Sequence, residues 1–215
     1  MDWFEQIDGY CERTDFSYWS EPLNAVTNAA FIVAAIIMWR RTGGLPAARV
    51  LCVILFCIGI GSYLFHTHAT QWAALADVTP IGIFILTYLF LANRDIVGMP
   101  WWGALGVTFL FFPYAYGVVS LLRDVPFLNI SNFYWTVPIL LVVYAAYLRG
   151  AVGLGFVIGA VILSASISLR SLDEIVCPQF PIGTHIFWHI LNGIMLGWMI
   201  EVYRRHMLAG PAAGR

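Results

Sequence analysis

Ser62, His66, Asp77, His185 and His189 are the residues of this chain whose types and spacing can do chemistry. Ser62 and His66 lie four positions apart in Gly61-Ser62-Tyr63-Leu64-Phe65-His66, which on a helix puts them on one face, a turn from each other. His185 and His189, in His185-Ile186-Phe187-Trp188-His189, share that spacing. Asp77 stands just before Pro80, whose missing N–H leaves the Ala76 carbonyl without its helical donor, so the backbone around the carboxylate is polar. Three imidazoles and a water are the ligand set of an open catalytic zinc site. A zinc ion there lowers the pKa of the water and polarises a carbonyl oxygen. The same histidines can instead hydrogen-bond between helices or bind haem, although two rings a turn apart on one face suit a single small ion better.

The elements that must position these groups are membrane helices. The 215 residues are 60% hydrophobic and 11% charged, and the mean hydropathy is +0.79. Soluble domains carry about 25% charged residues, and a soluble fold of this size has no way to hide so much apolar surface. The formal charge of −1 says nothing about nucleic acid, and with no basic patch to bind phosphates no nucleic-acid partner is expected. A helix needs about 20 apolar residues to cross about 30 Å of hydrocarbon. Seven such runs are present, at Leu23–Trp39, Ala48–Phe65, Trp72–Ala92, Trp101–Leu122, Phe133–Leu148, Val152–Leu169 and Pro181–Tyr203. The expected fold is all-α, a seven-transmembrane-helix bundle. An acidic N-terminal segment (1–21) precedes the helical domain (22–205), and a short tail (206–215) follows it. No second domain fits, and the acidic start is unlike a signal peptide.

Arginine sets the expected orientation. Arg40, Arg41, Arg49, Arg94, Arg149, Arg204 and Arg205 fall on one side of an alternating chain, against Arg13, Arg123 and Arg170 on the other. That puts the N-terminus outside and the C-terminus in the cytoplasm. The second run then ends at His66, the third begins before Asp77 and the last begins near His185, all at the outer face. All eleven basic residues are Arg, and with the richness in Ala and Gly this suggests a GC-rich bacterial source and therefore the inner membrane. His68 and His206 read as interfacial.

The acids Asp8, Glu12, Asp15 and Glu21 gather before the first helix. The ordinary reading is a solvated anionic segment. The alternative is a site for a hard cation such as Ca²⁺, which takes about six to eight oxygens, although the spacing is not that of an EF-hand loop. Cys52 and Cys57 read as small apolar fillers of the second run. Cys11 and Cys177 share the outer side, where disulfides persist, and a bond between them would tie the N-terminal segment to the loop before the last helix.

Ser62-x-x-x-His66, Asp77 and His185-x-x-x-His189, in this order, resemble the alkaline ceramidases. These belong to a seven-helix hydrolase superfamily that also includes adiponectin-receptor-like proteins. The likeness extends to Tyr10-Cys11-Glu12, to Glu21-Pro22-Leu23-Asn24-Ala25-Val26-Thr27-Asn28 and to Leu172-Asp173-Glu174-Ile175-Val176-Cys177, while the fourth to sixth runs match in hydrophobicity alone. The resemblance implies a zinc-dependent lipid amidase that releases a fatty acid and a sphingoid base from ceramide. In it His66, His185 and His189 would hold zinc, Asp77 would activate or orient the water at the metal, and Ser62 would steady the oxyanion. It also implies calcium on the acidic segment, with Glu12 and Glu21 matching directly. Asp8 matches through a one-residue insertion, and Asp15 stands where the family often has Asn. A Cys11–Cys177 disulfide is implied as well. The expected partner is a membrane lipid reached laterally from the outer leaflet, with no protein partner implied. Two other functions use the same residues: hydrolysis of a different N-acyl or ester lipid, and a non-enzymatic lipid sensor with a structural zinc.

Overall fold

Prolines and one left-handed residue punctuate the chain. In the computed structural model, which describes residues 2–210, helices α1 (Pro22–Thr27) and α3 (Pro46–His68) each open on a proline. There the missing N–H is one the first turn does not use. Met1 of the expected N-terminal segment and residues 211–215 of the expected tail lie outside the described residues. α2 (Ala29–Arg41) follows α1 after a break at Asn28. The Asn28 side-chain amide donates to the carbonyls of Asn24 (2.9 Å) and Ala25 (3.4 Å), competing with the helix for its own acceptors. α3 ends at Ala69, which turns the chain in the left-handed region at φ 47°.

The remaining helices are α4 (Gln71–Leu91), α5 (Trp101–Phe109), α6 (Phe111–Leu122), α7 (Pro126–Asn129), α8 (Asn132–Leu148), α9 (Gly150–Val176) and α10 (His185–Ala209). The end of α4 widens into a π turn over Ala92–Ile96, where the Val97 N–H reaches the Ala92 carbonyl at 2.9 Å. The run expected at Trp101–Leu122 is split at Leu110 because Pro113 has no N–H for the Phe109 carbonyl.

The described residues are 78% helix with no strand among them, and six of the helical segments are long and apolar enough to cross a membrane. These are Pro22–Arg41, Pro46–His68, Gln71–Ile96, Trp101–Leu122, Gly150–Val176 and His185–Ala209, as in a multi-pass membrane protein. The fifth expected span is α8, an apolar helix of 17 residues, which at 1.5 Å per residue covers about 25 Å. Several boundaries differ from expectation by a few residues, and those of the last two helices have identifiable causes. α9 runs on to Val176, because Arg170 and Asp173, which end the hydropathy run, find partners inside the bundle. α10 starts at His185 rather than Pro181, because Gly183 adopts φ 71°. It also continues to Ala209, into what the sequence suggests is a tail.

Around the bundle, α4 packs on α3, α3 on α2, α2 on α10, α10 on α9, α9 on α8 and α8 on α6, while α5 joins α6 to α4. In lipid, helices associate through close packing, and small residues let their backbones approach. Gly193 and Gly197 of α10 face Ala30 and Ala34 of α2, where a Cβ on Gly193 would come within 2.9 Å of the Ala30 carbonyl carbon. Gly61 of α3 does the same for α4, since a Cβ there would run into the Ala76 carbonyl and sit 3.3 Å from the Asp77 Cα. The carbonyl released by Pro80 is therefore the one that Gly61 accommodates. Inside the ring lies an apolar cavity, lined among others by Phe31, Ile58, Phe84, Tyr88, Trp188 and Met199.

Candidate metal centre

At the end of the bundle where α3 turns into α4, the N-terminal segment folds back over the helices. The Ile7 N–H donates to the Ala69 carbonyl at 2.8 Å, and the Gln71 and Trp72 N–H groups donate to the carbonyls of Glu5 and Trp3. Cys11 is disulfide-bonded to Cys177, as expected, with 5.4 Å between the Cα atoms. Asp173, almost fully buried, strengthens the junction. One carboxylate oxygen accepts the N–H groups of Thr184 (2.6 Å) and His185 (2.8 Å), and the other accepts the Cys11 N–H (2.9 Å). A residue of α9 thus caps the first turn of α10, the turn that carries His185. Gly183 makes room for it, because a side chain there would strike the Asp173 carboxylate.

Beneath this cover the three expected histidines meet. His66 and His189 are 0% exposed and His185 is 1% exposed. One ring nitrogen from each lies within 4.8 Å of the others. The partners of the rings decide which nitrogens are free. The His66 Nδ1 is 2.6 Å from a Glu21 carboxylate oxygen, to which its N–H donates. The His189 Nδ1 is 2.8 Å from the Thr27 hydroxyl. That hydroxyl has its own acceptor in the Leu23 carbonyl at 2.7 Å, so it receives the Nδ1–H of His189. Both rings are thereby set with the lone pair on Nε2, and both Nε2 atoms are buried without a hydrogen-bond partner, as is Nδ1 of His185. Buried polar atoms normally have a partner. A carboxylate or hydroxyl oxygen accepting from one ring nitrogen, with the other nitrogen left free, is the pattern of metal-ligating histidines. The residues present therefore fit a divalent ion such as zinc.

Ser62 is buried on α3, one turn before His66. Its hydroxyl faces the Asp77 carboxylate, which has His66 and Arg170 as its charged or chargeable neighbours. Ser62, Asp77 and the triad thus share one end of the bundle. His68 and His206 lie elsewhere: His68 is exposed beside Tyr18 and Trp72, and His206 meets the Asp95 carbonyl at the far end of α10. Of the two remaining cysteines, Cys52 is a buried filler as expected, whereas Cys57 lies on an exposed face.

The acids expected to bind calcium behave differently. Among the described residues they form no cluster of ligand atoms with a third acid or histidine; the one such cluster is the histidine triad. Glu12 accepts the N–H groups of Leu23 and Asn24, both at 2.7 Å, and so caps α1. Burial lifts its carboxyl above the usual range, against the pull of those donors. The exposed Asp15 accepts from the hydroxyl and N–H of Ser17, which hold its carboxyl below the usual range. Asp8 is exposed. Glu21 is buried between His66 and Arg13, with the Arg13 Nε at 2.5 Å. Burial alone would raise the Glu21 carboxyl, but His66, Asn24 and Arg13 outweigh it and hold it low. The cation among these acids is a guanidinium, and the residues present do not fit a calcium ion.

Five neighbours of the triad escape a reading of spacing. Glu21 and Thr27 set the ring tautomers, Asp173 caps α10 and Arg13 holds Glu21. The fifth, Tyr10, stacks on His185 with 3.7 Å between ring centroids, and burial pushes its phenol above the usual range. Arg170 lies against the rings of Tyr10, Tyr134 and Trp188 and donates to the Ser131 hydroxyl at 2.8 Å. Tyr10, Glu21, Thr27 and Asp173 stand within or beside the quoted ceramidase-like motifs; Arg13 had a signal of its own, a lone cation among acids. Compared with known proteins, the chain matches no family model and no curated protein.

Proposed function

We propose that this chain is a zinc-dependent hydrolase of N-acyl lipids within the membrane, a ceramidase-like amidase with ceramide as its simplest substrate. In this reading all seven helical segments cross the bilayer, with the histidine end outside and Arg40, Arg41, Arg204 and Arg205 inside. The observation that carries it is the set of three buried, partnerless imidazole nitrogens beside Asp77 and Ser62, directly above an apolar cavity.

Trp188 precedes His189 in α10, and the Phe31 ring lies 6.1 Å from the His189 ring; both residues also line the cavity. Met199, another lining residue, is ten positions beyond His189, or about 15 Å along the helix. An acyl chain in that cavity would gain about 0.8 kcal/mol per CH₂ group buried from water, with its carbonyl held among the histidines. When bound, zinc would polarise that carbonyl and make water acidic enough to attack at neutral pH. Asp77 takes the proton from the attacking water and passes it to the nitrogen of the departing amine. The Ser62 hydroxyl donates a hydrogen bond to the oxygen that gains negative charge. Water adds to the carbonyl carbon, the C–N bond breaks, and the products are a fatty acid and a free amine. Three protein ligands leave a metal position open for substrate, whereas structural sites are usually closed by four; this weighs for a hydrolase over a sensor.

The test is product analysis of the zinc-loaded protein with long-chain ceramides, other N-acyl lipids and matched esters, beside a His189→Ala control. Fatty acid release that is lost in the control supports the proposal, and the panel separates amide from ester. No release from any lipid by fully metallated protein would sink it.

A further inference from the structure

The residue that organises the acidic segment is a cation belonging to the chain itself. Arg13 is 6% exposed, and its guanidinium reaches three oxygens from three segments. The Nε donates to Glu21 (2.5 Å), one terminal nitrogen donates to the Asp15 carbonyl (3.0 Å), and the other donates to the His66 carbonyl (3.0 Å). Glu21 in turn spends its second oxygen on the His66 Nδ1 and on the Asn24 amide at 3.0 Å. Arg13 therefore grips His66 twice, through the backbone directly and through the ring by way of Glu21.

A divalent cation in this place would need its own oxygen ligands. Instead the Glu12 carboxylate is committed to backbone N–H groups and that of Asp15 to Ser17, while Arg13 takes Glu21. The planar fork of a guanidinium matches several acceptors at fixed angles, which a lysine ammonium does not reproduce. We propose that Arg13 is a built-in cation that stands where a calcium ion is implied by the ceramidase resemblance, and that it is a positioning residue for the metal centre. The chain consequently needs no calcium, and loss of Arg13 loosens His66 without removing any ligand to the metal.

This rests on the histidine triad being a metal centre, and metal binding by the unaltered protein is the control that separates the two ideas. Full-length protein is stripped with chelator, and zinc is returned against a competing chromophoric chelator, with and without CaCl₂. Measurements are made well below Tm and repeated for Arg13→Gln, Arg13→Lys, Glu21→Gln and the Arg13→Gln/Glu21→Gln pair. Unaltered protein is expected to bind one zinc with an affinity and Tm that calcium does not change. Arg13→Gln should weaken zinc about 10-fold or more, the scale of losing an outer-shell partner of a ligating histidine. Arg13→Lys should fold, keep the charge and lose part of that affinity, which keeps the test alive if Arg13→Gln fails to fold. The double variant should bind zinc no worse than Glu21→Gln alone, because both residues act through one bond. Failure of the unaltered protein to bind zinc would overturn the metal centre itself. With zinc bound, the Arg13 proposal is overturned by any of three results: a saturable calcium-dependent rise in Tm or zinc affinity, unchanged affinity in folded Arg13 variants, or additive losses in the double variant.

Discussion

Replacing Gly61 with alanine tests whether the approach of α3 to α4 is what puts Asp77 to work. The added methyl group would press on the Ala76 carbonyl, with that carbonyl carbon at 2.8 Å and the Asp77 Cα at 3.3 Å. Both are backbone atoms, so relief requires α4 itself to retreat. Non-bonded carbons settle about 3.5–4.0 Å apart, which makes the retreat on the order of 1 Å. Overpacking of this kind costs about 1–3 kcal/mol, a loss visible as a lower Tm but short of unfolding. A displacement of about 1 Å at a catalytic group costs about 100-fold in rate. His66, His185 and His189 belong to α3 and α10, so their arrangement should survive. Gly61→Ala is therefore expected to purify with one metal ion per chain and to release fatty acid about 100-fold more slowly. Metal content by mass spectrometry and turnover in detergent micelles provide the two readings. Unchanged turnover in the folded variant, or metal and activity lost together, would refute the argument.

Other expectations follow from the contacts around the triad. Thr27→Val keeps the branched shape but removes the acceptor of the His189 Nδ1–H; zinc affinity in chelator competition should fall about 10-fold, and Thr27→Ser should restore it. Asp173→Asn sets an amide N–H₂ against the Cys11 N–H while keeping one oxygen for Thr184 and His185. Leaving that buried donor unmet costs about 1–3 kcal/mol, to be read from thermal or denaturant unfolding. Cys11→Ser opens a closed loop of 166-residue separation and should lower stability by about 2–5 kcal/mol. In oxidised unaltered protein neither Cys11 nor Cys177 should be alkylated.

The helices were legible because lipid demands long apolar runs with their backbone bonds closed internally, and that demand is written locally. Breaks at Asn28 and Leu110 were missed because each comes from one side chain or ring acting on a carbonyl a turn away, which hydropathy averages out. His185 and His189 announced themselves by spacing, and His66 by lying at matched depth. Glu21 and Thr27 did not, because they act across 45 and 162 residues, and periodicity reports on one helix at a time. For the acidic segment, calcium was implied by the resemblance and not by the spacing of the acids. The cation that the structure sets against Glu21 is Arg13, already inside the run, and a reading of spacing does not show which acid a nearby cation will meet.

The histidine triad is divided between α3 and α10, and the disulfide joins residue 11 to residue 177. All three imidazoles can meet only once synthesis has passed residue 189 and α10 has packed beside α3. A polypeptide that ends before residue 185 has one of the three imidazoles, and one that ends before residue 189 has two. Capture of a metal by all three imidazoles would therefore wait for the packing of α10, and the Cys11–Cys177 disulfide closes over a site that a chain shorter than 189 residues has no means to assemble.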